Sequence, residues 1–121
     1  MNLSNVFQKL SPNTPILQAT FGLERESLRI NTEGRVAQTP HPEKLGSRSF
    51  HPYIQTDYSE PQLELITPVA QSTTEARRFL GAITDVAIRS MDKSEYLWPL
   101  SMSPVIVEEE IQIAHVESDY E

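Results

Sequence analysis

Residues 54–68 read IQTDYSEPQLELITP. The stretch predicts extended backbone. Pro61 cannot donate to a β-ladder, so it predicts a bulge or an edge position. Successive strand side chains face opposite ways, which sets Leu63 and Leu65 on one face and Glu64 on the other. A carboxylate among apolar residues is costly to bury unless it is paired or ligated. Glu64 is therefore either a ligand or a plain exposed-face residue. Asp57 lies seven positions before Glu64. That odd offset would separate the two carboxylates on a perfect strand, but a one-residue slip at Glu60-Pro61 could bring them together. Spacing does not decide between these readings.

Downstream, Ser72 and Glu75 have the three-residue offset of a capping box at a helix start. Ala76, Phe79, Leu80, Ile83, Val86, Ala87 and Met91 then form an apolar stripe at helical period. This predicts a helix over about residues 73–91 that covers a sheet. Leu97–Pro104 (LWPLSMSP) reads as a proline-bounded, mostly apolar loop. A further helix is expected from Glu108 onward.

Upstream, Leu3, Val6, Phe7 and Leu10 share one helix face and predict a short helix that ends at Ser11-Pro12. Residues 16–30, around ATFGLERESLRI, predict a second extended segment. Asn31–Gly34 predicts a turn, with residues 35–39 returning as the partner strand. Residues 40–53 carry three prolines and a glycine and predict a long irregular loop. The class is α+β. A sheet of so few strands is marginal alone, so the core is expected to be incomplete.

The chain has 121 residues, 17 acids, 10 bases and a formal net charge of -7. Six acids and no Lys or Arg fall in residues 108–121, so the preceding body is almost neutral. Without clustered cations, nucleic acid is not an expected partner. The absence of cysteine excludes disulfides, thiolate metal sites and a Cys nucleophile within this sequence. The opening MNLSNVFQKL has no basic start or long apolar core, and no apolar run approaches the roughly 20 residues of a membrane span. The expectation is a cytoplasmic protein with no membrane partner.

Glu24 and Glu26 stand two apart, which places both carboxylates on one face of a strand and Arg25 on the other. Paired carboxylates repel unless a proton or cation intervenes. The pair is either a hard-cation site or a solvated strand face. The three histidines, His41, His51 and His115, have no zinc-ligand spacing. No Gly-rich nucleotide motif and no nucleophile elbow is present.

The segments GLERESLR, HPEKLGSRSFHPYIQTDYSEPQLELITP, FLGAITDVAIRSM and LWPLSMSP, in this order, resemble the N-terminal part of the bacterial glutamate–cysteine ligase family. The likeness is strongest to its Gram-positive bifunctional branch, in which the ligase is joined to an ATP-grasp glutathione synthetase. The resemblance implies a multifunctional enzyme of glutathione biosynthesis that binds ATP, L-glutamate and L-cysteine. It implies γ-glutamyl phosphate as intermediate and magnesium or manganese as the metal. It implies a partial antiparallel sheet of the glutamine-synthetase-like catalytic fold with packing helices, incomplete in this chain. Glu24 and Glu26 match the family's E-R-E ligands, and Asp57 and Glu64 its second acidic pair. Tyr58 matches an aromatic position near the cysteine pocket that is commonly Phe. Residues 1–121 are accordingly expected to be a truncated N-terminal part of the catalytic domain, inactive alone. The alternative is a small non-catalytic metal-binding or regulatory module that keeps this segment.

Overall fold

The structure is a computed structural model and describes residues 4, 5, 9 and 19–114. Of the short helix expected around Leu3–Leu10, Ser4 and Asn5 are described and are helical, and most of the rest lies outside the described residues. Four strands, β1 (Glu24–Asn31), β2 (Ile54–Thr56), β3 (Gln62–Ile66) and β4 (Glu95–Leu97), form one sheet in the order β2-β3-β1-β4. Every strand pairing is antiparallel. One α-helix, α1 (Thr73–Ser90), packs on the sheet.

The stretch read as one extended region is a hairpin. Ser59–Gln62 turns the chain, with the Gln62 N–H donating to the Ser59 carbonyl at 2.9 Å. Pro61 sits in that turn, where no ladder N–H is required of it. Its carbonyl accepts from the Arg29 N–H at 2.8 Å.

The two faces of the sheet differ in kind. Leu63 and Leu65 of β3, fully buried, point towards α1 and form a core with Leu45, Ile54, Ala87 and Met91. Leu80, Ile83 and Leu97 pack at its margin. The other face carries the even-numbered residues of β1 and β3 and lies away from the helix.

Helix α1 starts as expected. Ser72 is its N-cap and accepts from the Glu75 N–H at 3.2 Å, while the Glu75 carboxylate accepts from the Gln71 N–H at 2.8 Å. The apolar stripe is narrower than the periodicity predicted. Val86 is 50% exposed, because the buried line runs through Ala76, Leu80, Ile83 and Ala87, and Val86 lies one residue, about 100°, off it. Phe79 is only half-buried, with the Arg78 guanidinium 5.5 Å from its ring centre.

The expected loop over 40–53 contains a 3-10 turn, Glu43–Leu45, that drives Leu45 into the core. Gly46 follows with φ 76°, a left-handed conformation suited to glycine. The Asn31–Gly34 turn forms, and its return meets β1 through the Ile30–Val36 bridge. β3 ends opposite Leu28, so residues 35–37 take up the edge of β1 that β3 leaves.

The helix expected from Glu108 is a correction. Glu108–Glu110 make a single 3-10 turn, after which residues 112–114 run beside 58–60. The flanking Val and Ile favour extended backbone there. Residues 115–121 lie outside the described residues.

Beneath the sheet, Arg29 and Glu95 form a buried ion pair at 3.0 Å. Arg29 also donates to the Thr39 hydroxyl and carbonyl and to the Glu60 carbonyl. This fork ties β1, β4, the 35–39 return and the β2–β3 turn together.

Candidate functional site

The open face of the sheet gathers the four carboxylates singled out in the sequence. In the β1–β3 register Glu26 pairs with Glu64, and Glu24 with Ile66. In the β2–β3 register Gln55 pairs with Glu64, and Asp57 continues that ladder by donating its N–H to the Gln62 carbonyl at 3.2 Å. Glu24, Glu26, Asp57 and Glu64 therefore share one face. The odd Asp57–Glu64 offset is resolved by the hairpin, not by a bulge. Arg25 pairs with Leu65 and lies on the opposite face, as its position between the two glutamates required.

Among the described residues, no salt bridge neutralises the charge on this face. The salt bridges among the described residues are Arg29–Glu95, Arg35–Glu110 and Arg48–Glu60, none of which involves the four carboxylates. Burial, and then the nearby charges of Glu24, Asp57 and Glu26, raise the Glu64 carboxyl above the ordinary glutamate range. Glu24, Glu26 and Asp57 are exposed to solvent. An all-oxygen, uncompensated anionic donor set has the chemistry that a hard divalent cation selects. Among the described residues, no three of these side chains converge on a common point, so the donor chemistry fits a cation while the closed coordination shell is not formed.

Beside Glu26 lies a cavity of about 420 Å³ whose lining includes Tyr58, Gln62, Leu28, Trp98 and Met102. Tyr58 is 68% exposed at its rim. The Trp98 indole N–H donates to the Met102 carbonyl, a bond within the LWPLSMSP segment, which lines the trough. The trough is mostly apolar, and among the described residues Glu26 is the one carboxylate in its lining.

Two features escaped the sequence reading. Gln62 stands two residues before Glu64 on the same face and donates to Glu26 at 3.0 Å and Asp57 at 3.2 Å. The i, i+2 rule applied to Glu64 would have found it. Glu60, read only as part of a break, is buried. It accepts from the His41 backbone N–H at 2.7 Å and from Arg48 at 2.5 Å. No local pattern announces that cluster.

An antiparallel sheet with one helix-covered face and one acidic face beside an apolar trough defines a small α+β unit. Comparison with known proteins identifies the class. The glutamate–cysteine ligase family profile matches residues 5–120, and the chain belongs to that family. It is 66% identical to the glutathione biosynthesis bifunctional protein GshAB of Streptococcus mutans over all of this chain and 16% of that protein. The Enterococcus faecalis counterpart is 55% identical over 97% of this chain. Among solved structures, the bifunctional glutathione synthetase from Pasteurella multocida superposes with TM-score 0.74 and 47% identity, covering 80% of this chain and 13% of that one. The glutamate–cysteine ligase of Francisella tularensis, solved in complex with AMP, superposes with TM-score 0.76 and 33% identity, covering 78% of this chain and 19% of that one. The chain thus spans about one sixth of the length of the curated relatives it matches.

Among the described residues, no helix is long and apolar enough to cross a membrane.

Proposed function

We propose that this chain supplies one acidic wall of an ATP-dependent ligase that joins the γ-carboxyl of L-glutamate to the amine of L-cysteine. The reading places residues 1–121 in the N-terminal part of a cytoplasmic catalytic domain with a glutamine-synthetase-like sheet. In the reaction the glutamate side-chain carboxylate takes the γ-phosphoryl group of ATP, releasing ADP. The cysteine amine then displaces phosphate from the acyl phosphate. Glu24, Glu26, Asp57 and Glu64 would hold magnesium or manganese, and Tyr58 would border the cysteine side. The metal, when bound, would neutralise the clustered negative charge of nucleotide and substrate. The chain's own contribution is positional: strands fix the carboxylates beside the apolar trough.

The observation that carries this reading is the face itself. Four carboxylates from three consecutive strand segments share one face of the sheet without a described cationic partner, in a member of a ligase family. The alternative of a non-catalytic module rests on no comparable feature.

The test is a segment exchange. Residues 1–121 replace the matching segment of the Streptococcus mutans relative, and γ-glutamylcysteine formation is followed with ATP, magnesium, glutamate and cysteine. The chimera should turn over, and Glu24→Gln or Glu26→Gln within it should lose most turnover while remaining folded. Near-normal turnover of both variants at saturating magnesium would remove the ligand role.

A further inference from the structure

We propose that Gln62 is a positioning residue for the acidic face: its side-chain amide bridges Glu26 of β1 and Asp57 at the end of β2, presenting both carboxylates to a divalent cation. This rests on the metal-holding role proposed for that face.

The bridge is specific in its atoms. Gln62 Nε2 donates to Glu26 Oε2 at 3.0 Å and to Asp57 Oδ2 at 3.2 Å. A primary amide nitrogen carries two N–H groups, so both bonds can form at once. Reversing the amide would aim its carbonyl oxygen at two carboxylates, so the neighbours themselves fix its orientation. Each bond engages one oxygen and leaves Glu26 Oε1 and Asp57 Oδ1 without the bridge.

The choice of a neutral donor matters. Glu26 and Asp57 are exposed, and two like charges free to move would separate into solvent. A lysine at position 62 could draw them together, but its ammonium would supply the charge that a metal otherwise supplies. The amide links the two carboxylates and leaves their summed charge intact. β3 lies between β1 and β2, so one of its side chains can reach both neighbours.

Gln62 is half-exposed and outside the hydrophobic core, so its loss should spare the fold. The probes are Mn²⁺, followed by electron paramagnetic resonance, and Mg²⁺, followed by ¹⁵N resonances, both on the full 121-residue chain. In the wild-type chain the Gln62 side-chain amide signal should shift during Mg²⁺ titration. Gln62→Leu should raise the Mn²⁺ dissociation constant about tenfold, the low end of what losing an orienting hydrogen-bond partner costs a metal site. Its thermal midpoint should be unchanged. Gln62→Lys should weaken binding further.

Glu26→Gln separates the two ideas. If Glu26→Gln weakens Mn²⁺ binding but Gln62→Leu leaves it unchanged or tighter, the positioning role is overturned and the ligand reading stands. If the wild-type chain shows no saturable binding, or Glu26→Gln has no effect, the ligand reading fails and carries this proposal with it. A lowered thermal midpoint in Gln62→Leu, or a Gln62 amide signal unmoved by Mg²⁺, would make the residue structural and overturn its positioning role.

Discussion

Glu26 and Glu64 face each other directly across the β1–β3 ladder. Like charges placed opposite one another on adjacent strands destabilise a sheet. The fold accepts this cost on the face where Glu24 and Asp57 also lie, and it places no described Lys or Arg there to relieve it.

That arrangement predicts a pH dependence. The Glu64 carboxyl is raised by burial first and then by its acidic neighbours. A group raised in the folded state favours folding while protonated and loses that contribution as pH rises through its folded value. From the ordinary glutamate value of 4.5 upward, stability should therefore decline. Glu64→Gln should remove this decline and raise the thermal midpoint at neutral pH, and millimolar Mg²⁺ should do the same for the unaltered chain. Thermal melts across pH 4–8 decide it: a Glu64→Gln midpoint below that of the unaltered chain at pH 7 would count against the repulsion.

Glu60 predicts the opposite sign. Burial opposes its ionisation, but the His41 N–H, the bonded and charged Arg48 and the charge of Arg29 together hold its carboxyl below the ordinary range. Its contribution should be present above the ordinary glutamate value and vanish as pH falls through the lowered one. Glu60→Gln should destabilise the chain at pH 7 and have little effect at the acidic end. An equal loss at both ends would show that packing, not charge, is what Glu60 supplies.

The Arg29–Glu95 pair predicts a large and asymmetric mutational response. Their side chains are only 1% and 4% exposed. Glu95→Ala leaves a buried guanidinium without its counter-charge and should cost about 3–5 kcal/mol. Replacing both partners, Arg29→Met with Glu95→Leu, should cost less than the single change, because no charge is then stranded. Urea unfolding of the two variants gives the comparison. A double variant less stable than Glu95→Ala would contradict it.

Helix α1 offers a test of which side faces the sheet. Ala87 is fully buried against Leu63 and Leu65, whereas Val86 is half-exposed. Ala87→Leu should overpack the core and cost about 1–3 kcal/mol. Val86→Ser should stay within about 0.5 kcal/mol. Similar losses from both changes would mean that the helix is rotated from the orientation described.

Local signals carried the sequence reading where one short pattern fixed one element. Ser72 with Glu75 located the start of α1, and the even spacing of Glu24 and Glu26 put both on one face. Patterns spanning two elements were less legible. The Asp57–Glu64 offset made sense only once Ser59–Gln62 was known to turn the chain, because antiparallel pairing brings odd and even positions onto a common face. Val86 fitted the helical stripe, yet the width of the buried face is set by the sheet beneath it. Glu108–Glu110 looked helical in isolation, but the backbone of residues 58–60 takes up the following segment as an extended partner. Arg29, Glu60 and His41 form their cluster through contacts between residues far apart in sequence, and no periodicity encodes such contacts. The glutamine-synthetase-like character of the sheet remains part of the proposal.

The 121-residue chain assayed by itself should lack ligase activity. Glu24, Glu26, Asp57 and Tyr58 are all exposed, and the trough beside them is bordered by the exposed Leu100 and Met102. Transition-state stabilisation of phosphoryl transfer depends on holding metal, nucleotide and acceptor in a fixed, desolvated arrangement. Carboxylates open to water on one side supply metal affinity without that enclosure. Purified chain given ATP, magnesium, glutamate and cysteine should therefore bind the metal weakly and form no γ-glutamylcysteine, while the segment-exchange chimera does. The readouts are phosphate release and product formation, with Glu24→Gln chain as the background. Turnover by the chain above that background would show that this wall is catalytically sufficient, and would sink the proposal that it works only as part of a larger site.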